Sequence, residues 1–376
     1  MMACRILFCF AVASVRGLLL PRVASRVEQL RGGLLRGGAG SEAAGVVVDE
    51  SRVIGEGSYG VVVAAADESG GEFVAKRAKR DDLSRKYLAT ERLINEKLRD
   101  VEGLARYVGA AVGVLPDAGF FEAKTCEYLV FERVRGGRDA ASYVEDGSCG
   151  VDALAAALGL DACAFEDECS VFGDEGCAVS DPESARSGAA NLAVASRVLA
   201  FLTEALAGVN GRGVAHRDVK ASNVLVSPAT RRLALIDLGS AMDVASRAGY
   251  DPRRSPVSPR YCPPEQFCDP SAPSWESFDA YGAGFVALRV LLSPALRSDN
   301  DVDAFNVEFK AAGHDLDAWL ANKLATTALP EKLLAPLAAL GAYQGRTRVI
   351  RRRFNVGVLE ATPETQASAL VIRPER

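Results

Sequence analysis

His216-Arg217-Asp218-Val219-Lys220-Ala221-Ser222-Asn223, followed by Asp237-Leu238-Gly239, is the stretch that decides how this chain reads. One short loop carries a carboxylate, an ammonium and an amide at fixed spacing. A second carboxylate sits on the tight turn that closes the apolar run beginning at Leu233. A carboxylate can orient a hydroxyl nucleophile and accept its proton. An ammonium can offset charge on a transferring group. An amide oxygen and a carboxylate oxygen can hold Mg2+ against a nucleotide's phosphates. Asp218 is therefore the candidate base, Lys220 the candidate charge stabiliser, and Asn223 and Asp237 the candidate metal ligands. Each alone is more often a turn or surface residue; the ordered series carries the reading.

Upstream, Val46-Val47-Val48 and Val53-Ile54 read as a strand running into Gly55-Glu56-Gly57-Ser58-Tyr59-Gly60, a G-x-G-x-x-G loop followed by Val62. A dinucleotide-binding glycine loop leads into a helix. Here Val61-Val62-Val63 is β-branched and reads as a return strand, which favours a hairpin flap over phosphates. Without a Cβ, backbone N–H groups can approach phosphate oxygens closely. Phe73-Val74-Ala75-Lys76 reads as the next strand. Asp81-Asp82 can cap a helix continuing through Leu98, with Leu83, Tyr87, Leu93, Ile94 and Leu98 near helical spacing. Tyr107 to Val114 and Glu127 to Val134 read as two further strands.

These stretches resemble protein kinases: H-R-D-x-K-x-x-N and D-F-G for the opening stretch, the glycine flap, and V-A-I-K at Lys76. The resemblance implies an α+β, two-lobed fold, with a small five-stranded antiparallel lobe bearing one helix and a larger, mainly helical lobe. It implies ATP and Mg2+ as cofactors. Lys76 then pairs with the α- and β-phosphates and a helix glutamate holds it, Glu91 in preference to Glu96. Ile54, Gly55, Gly57, Ser58, Tyr59, Gly60 and Val62 line the nucleotide. Tyr128 to Val134 resembles the strand and hinge that hold adenine, with Phe131 as gatekeeper and main-chain groups of Glu132 and Val134 on the base. Phe131 also reads as an ordinary core residue, and both readings can hold. Lys220, two residues after the aspartate, points to serine or threonine of a protein as acceptor.

Further on, Pro263-Pro264-Glu265 resembles A-P-E, whose glutamate pairs with a late arginine, Arg348 or else Arg346. Asp279, Gly282 and Gly284 resemble the D-x-W-S-x-G helix that anchors the catalytic loop. Between Asp237 and Pro263, Ser240, Ser246, Ser255 and Ser258 are candidate phosphosites, and Arg217 could tie the loop to a phosphate there. A narrower resemblance links Ile236 to Ala241, Pro259 to Gln266, Phe278 to Tyr281, Pro294 to Asn300 with Phe305-Asn306, and Asp315 to Trp319 to the thylakoid state-transition kinases of plants and algae. Their substrates are light-harvesting antenna proteins. That resemblance implies a plastid location and peripheral association with the thylakoid membrane. That family carries a membrane span and paired lumenal cysteines before the kinase domain. Neither is read here, so redox control through such a pair is not expected.

Bulk properties agree with one large two-lobed domain. The chain has 376 residues and a net charge of -5, which argues against a dedicated nucleic-acid binder. The nine cysteines are scattered and form no C-x-x-C pair. Residues 1–45 read as a presequence: Arg5 precedes an apolar run from Ile6 to Ala13, and an arginine-, glycine- and leucine-rich arm follows. A two-part plastid signal, an ordinary secretory signal and a mitochondrial presequence all fit it. Residues 46–135 read as the small lobe, 136–350 as the large lobe and 351–376 as a tail. An acidic insert over about 145–188 holds Cys149, Cys163, Cys169 and Cys177, as free thiols or as a thiol switch. Ala190 to Val209 reads as an amphipathic helix, and no later stretch has the roughly 18 uninterrupted apolar residues of a membrane span. Two rival readings share the motif set: a catalytically silent nucleotide-binding scaffold and a small-molecule phosphotransferase. Lys220 and Pro263-Pro264-Glu265 argue against the second.

Overall fold

The computed structural model describes residues 46–67, 69–114, 125–146, 150–160, 182–247, 250, 257–264 and 275–326. The presequence, the insert cysteines, Ser255, Glu265, Arg346, Arg348 and the C-terminal tail lie outside these residues.

Five strands form an antiparallel sheet in the order β1-β2-β3-β5-β4: β1 (Val46–Glu56), β2 (Gly60–Asp67), β3 (Glu72–Ala78), β4 (Tyr107–Val114) and β5 (Thr125–Glu132). Side-chain alternation divides the sheet. Val61, Val63, Ala65, Ala75 and Tyr128 bury one face, and Ala78, Leu129 and Tyr107 bury the other against Leu88. Leu88 belongs to α1 (Asp82–Lys97), whose N-cap Asp81 accepts from the Ser84 backbone N–H, as the Asp81-Asp82 signal predicts. In the sheet register Lys76 lies between Val62 and Leu129, on the face that meets α1. The last strand ends at Glu132, two residues short of expectation. The chain leaves the sheet there for the Gly136-Gly137 turn, where Gly136 has φ +63 and the Gly137 N–H closes on the Val134 carbonyl.

The large lobe contains β6 (Arg138–Asp139), α2 (Ala140–Glu145), α3 (Gly150–Leu158), α4 (Pro182–Gly211), β7 (Val214–Ala215), β8 (Val224–Ser227), β9 (Arg232–Leu235), β10 (Met242–Asp243), α5 (Trp275–Leu291), α6 (Asp299–Ala311) and α7 (Leu316–Thr326). The short strands pair as β6-β8-β9 and β7-β10, and they frame the loop that carries Asp218 and Asn223. Helices α4 and α5 form the centre of the core through Val194, Val198 and Leu202 on one side and Val286, Leu288 and Leu291 on the other. Ala190–Gly211 is long and apolar enough, by length and composition, to cross a membrane. In this fold it is the lobe's central helix, with Val194, Val198, Leu202 and Val209 fully buried.

Two sequence expectations change here. Helix α4 begins at Pro182, eight residues before Ala190, and the segment read as an acidic insert contains α3. Val151, Leu154, Ala155 and Leu158 recur at helical spacing and are buried in the main core, so apolar periodicity overrides the acidic composition around them.

Candidate active site

The strand residue Lys76 reaches two carboxylates. Its Nζ lies 2.8 Å from Glu91 Oε1 on α1 and 2.7 Å from Asp237 Oδ1. Glu91 is the buried partner, while Glu96 pairs with Arg92 on the outer side of the same helix. Burial pulls the Lys76 ammonium down, but Glu91 and Asp237 outweigh it and hold the group above its ordinary value. Burial pushes the Asp237 carboxyl up, and the Lys76 ammonium more than reverses this, leaving it well below the usual carboxylate range. Glu91 stays raised: burial dominates, Lys76 opposes and Asp237 adds to it. Asp237 adopts φ 67, an uncommon conformation for a residue with a Cβ. Gly239 follows it closely: an added Cβ would sit 3.0 Å from Asp237 Oδ1 and 3.3 Å from Lys76 Nζ. Leu238 points away into a cluster with Ile94, Leu98, Val209 and Val214 that joins the two lobes.

The catalytic loop crosses below. The Asp218 side chain is bracketed on both oxygens. Lys220 Nζ donates to Oδ2 at 2.7 Å and Ser258 Oγ donates to Oδ1 at 2.6 Å. Asn223 donates from Nδ2 to the Asp218 carbonyl at 2.8 Å and to Oδ2 at 3.1 Å. The Asn223 amide nitrogen is thereby committed, and its Oδ1 remains for a cation. Asp237 Oδ1 is likewise committed to Lys76 and to the Gly239 N–H, which leaves Oδ2. Two oxygen donors of this kind fit Mg2+, which keeps its remaining positions for phosphates and water.

Asp279 of α5 fixes the loop from beneath. It is buried and accepts from the His216 N–H at 2.8 Å, the Arg217 N–H at 2.7 Å and Asn210 Nδ2 at 2.9 Å. Gly282, one turn on, permits the close approach: a Cβ there would lie 2.9 Å from both the Val219 carbonyl oxygen and its Cβ. Arg217 adopts φ 66 and is 1 % exposed. It donates to the Ser240 carbonyl at 3.0 Å, and its guanidinium lies 4.6 Å from the Tyr250 ring centre and 5.6 Å from that of Trp275. Its Nε and Nη2 have no hydrogen-bond partner among the described residues. Aromatic rings therefore surround the arginine expected to meet a phosphate.

The flap is a hairpin closed by the Gly57 N–H on the Gly60 carbonyl at 2.9 Å. Ile54, Gly57 and Ser58 are exposed, Gly55 and Val62 are half-buried, and Gly60 is buried. Tyr59 at its tip packs at a tilt against Tyr87 of α1, with ring centres 4.7 Å apart. At the hinge, the Glu132 N–H is engaged by the Arg106 carbonyl and the Val134 carbonyl by the Gly137 N–H. The Glu132 carbonyl and the Val134 N–H are the complementary main-chain groups. Phe131 packs against Tyr107, ring centres 5.5 Å apart. Sequence reasoning placed Ser258 only among four loop serines. Its contact to Asp218 spans 40 residues and has no local signature.

Comparison with known proteins agrees with this geometry. The family described as protein kinase domain matches residues 178–324, a stretch that includes Asp218, Asn223 and Asp237 but not Lys76 or Glu91. Chloroplastic serine/threonine-protein kinase STN7 of Arabidopsis thaliana is 35 % identical over 142 residues, which is 32 % of this chain and 25 % of that protein. Chloroplastic serine/threonine-protein kinase STN8 of the same plant is 32 % identical over 146 residues, 34 % of this chain and 29 % of that protein. The matched stretches thus span between a quarter and a third of these relatives. The crystal structure of a Stt7 homolog from Micromonas algae, soaked with ATP, superposes with a TM-score of 0.59 at 23 % identity, covering 92 % of this chain and 98 % of that one. That likeness concerns the fold. The chain thus has the two-lobed fold of protein kinases, its residues 178–324 match the protein kinase domain family, and a stretch of it is homologous to the chloroplast serine/threonine kinases STN7 and STN8.

Proposed function

We propose that this chain transfers the γ-phosphate of ATP to serine or threonine of a protein substrate. The observation that carries the proposal is the convergence of Lys76, Glu91 and Asp237 at hydrogen-bond distance, together with the bracketed Asp218 on the adjoining loop. Lys76, held by Glu91, positions the α- and β-phosphates beneath the flap formed by Gly55 to Gly60, with Ile54 and Val62 against the base. The Glu132 carbonyl and the Val134 N–H bind adenine. Asn223 and Asp237 would hold Mg2+, which would neutralise charge on the phosphates. Asp218 orients the acceptor hydroxyl and takes its proton. Lys220 offsets charge on the oxygens around the transferring group.

Residues 46–135 and 136–350 are the two lobes in this reading. The proposal extends to a plastid location, which the chloroplastic relatives STN7 and STN8 support. It extends also to peripheral association with the thylakoid membrane and to light-harvesting or photosystem proteins as substrates, which rest on the sequence resemblance to the state-transition kinases. Imaging the full-length chain fused to a fluorophore tests the location: a cytosolic signal removes the plastid reading and leaves the chemistry intact.

Asp218→Asn tests the chemistry. ATP binding by calorimetry should remain within about threefold of wild type, and protein phosphorylation should fall by about 10²–10⁴-fold, the range for loss of a positioned base. Undiminished phosphorylation rejects the assignment. A wild-type chain that binds ATP yet phosphorylates neither proteins, sugars nor aminoglycosides is a scaffold; one that phosphorylates only the last two is a small-molecule phosphotransferase.

A further inference from the structure

Arg289 lies on α5, nearly three turns beyond Asp279, and its side chain is 2 % exposed. Burying a guanidinium carries a large desolvation cost unless its donors are satisfied. Here they are shared among separate segments. Nη1 donates to the Tyr261 hydroxyl at 2.7 Å. Nη2 donates to Glu145 Oε1 at 2.9 Å and to the Arg297 carbonyl at 3.1 Å, and Nε reaches the Leu296 carbonyl at 3.4 Å. Asp299 Oδ1 stands 3.5 Å from Nη1.

Tyr261 is the informative partner. Its ring packs edge-on against Phe285, one turn before Arg289 on the same helix. The ring shares the buried core with Ala221, the residue directly after Lys220. Its own backbone N–H closes on the Ser258 carbonyl at 3.0 Å, making Ser258 and Tyr261 the two ends of one turn. The phenol is thus held by Arg289, and the turn that carries it presents the Ser258 hydroxyl to Asp218.

We infer that Arg289 is a positioning residue for phosphoryl transfer: by fixing the Tyr261 hydroxyl it holds the Ser258 turn in place, and so the orientation of the Asp218 carboxylate. An apolar side chain of equal volume could fill the space but could not orient a hydroxyl. The inference rests on the reading of Asp218 as the base. Glu145 brings the C-terminal end of α2 into the same junction, so a change in that helix is transmitted to the acceptor side of the cleft.

Tyr261→Phe, Arg289→Gln, Arg289→Lys and the double variant Tyr261→Phe/Arg289→Gln, in the full chain, test it. Each of the Phe and Gln variants should lower kcat for a generic protein acceptor by about 10- to 100-fold, the scale of a small misplacement at a reacting centre, with KM for ATP unchanged within about twofold. The double variant should lose no more than Arg289→Gln alone, because both changes cut one linkage. Arg289→Lys should recover part of the rate. Hydrogen exchange at the amide of residue 261, which closes the turn on the Ser258 carbonyl, should quicken in the Phe and Gln variants. Multiplicative losses in the double variant overturn the inference, as do an unchanged kcat and unchanged exchange at that amide in Tyr261→Phe. That variant removes a single oxygen and carries the test if Arg289→Gln does not fold. Should the wild type bind ATP and phosphorylate nothing, the kinase reading fails, and the exchange measurement still decides whether Arg289 and Tyr261 hold the turn.

Discussion

Ser258 donates its hydroxyl to Asp218 Oδ1 across 2.6 Å while Lys220 takes the other oxygen, so the candidate base is oriented by a residue of the activation segment as well as by its own loop. The position of that segment is therefore read directly at the carboxylate. Ser258→Ala should lower kcat by about 10- to 100-fold and leave ATP affinity unchanged. Ser258→Glu should abolish transfer, because a second carboxylate would face Asp218. Steady-state kinetics with a generic protein acceptor check both. Mass spectrometry of active protein should find Ser258 unmodified.

Lys76 links the lobes by charge, and its removal has a signed pH signature. The Asp237 carboxyl lies below its ordinary value of 3.8, so its stabilising contribution is complete above that pH and is lost as pH falls toward the folded value. Lys76 lies above its ordinary 10.5, so its contribution is complete below that pH and is lost as pH rises through the folded value. Glu91, raised above 4.5, runs the other way and costs stability once ionised. In Lys76→Met, burial acts on both carboxyls without its counter-charge and both values rise. The stability difference from wild type should therefore be smallest in strong acid, already substantial near pH 4, where the Asp237 contribution is complete, and larger still toward pH 8. Urea denaturation at several pH values checks this; a difference independent of pH would refute it. ATP binding should weaken at least about tenfold, as expected when a buried charged contact is lost.

Gly282 holds the catalytic loop by being small. Gly282→Ala would drive a Cβ within 2.9 Å of Val219 backbone, where no flexible side chain can yield. We expect a destabilisation of about 1–3 kcal/mol, typical of overpacking, and a fall in kcat larger than any change in KM for ATP. Thermal melts and kinetics on one preparation separate the two effects.

Arg217 rests against the rings of Tyr250 and Trp275 in a site closed to water. A desolvated cation–π contact contributes about 2 kcal/mol. Tyr250→Leu should destabilise by about that amount and Tyr250→Phe by less, since the ring remains. With the guanidinium so placed, protein stripped of phosphate should keep most of its activity. A rise above about tenfold on phosphorylation of Ser240 or Ser246 would contradict this.

The small lobe was legible because its strands are β-branched runs set off by glycine-rich and acidic turns and its helix starts at an unambiguous cap, so Val61, Ala75 and Asp81 sit where pattern alone puts them. Lys76, Glu91, Asp218, Asn223 and Asp237 were readable as motif positions, and the structure adds the contacts among Lys76, Glu91 and Asp237. Less was visible in the large lobe. Strands of two to four residues such as Arg138–Asp139 and Val214–Ala215 are too short to show a period. The start of α4 lacks the apolar spacing that marks its later turns. Ser258 and Arg289 owe their importance to partners tens of residues away, and no local pattern encodes those contacts.

Asp279 grips the main chain of His216 and Arg217 rather than their side chains. The peptide bonds at those two positions are fixed by the helix beneath, whatever contacts their buried side chains add. The template for the reaction thus resides in a helix beneath the loop, and a search for variants with altered chemistry should leave that carboxylate alone.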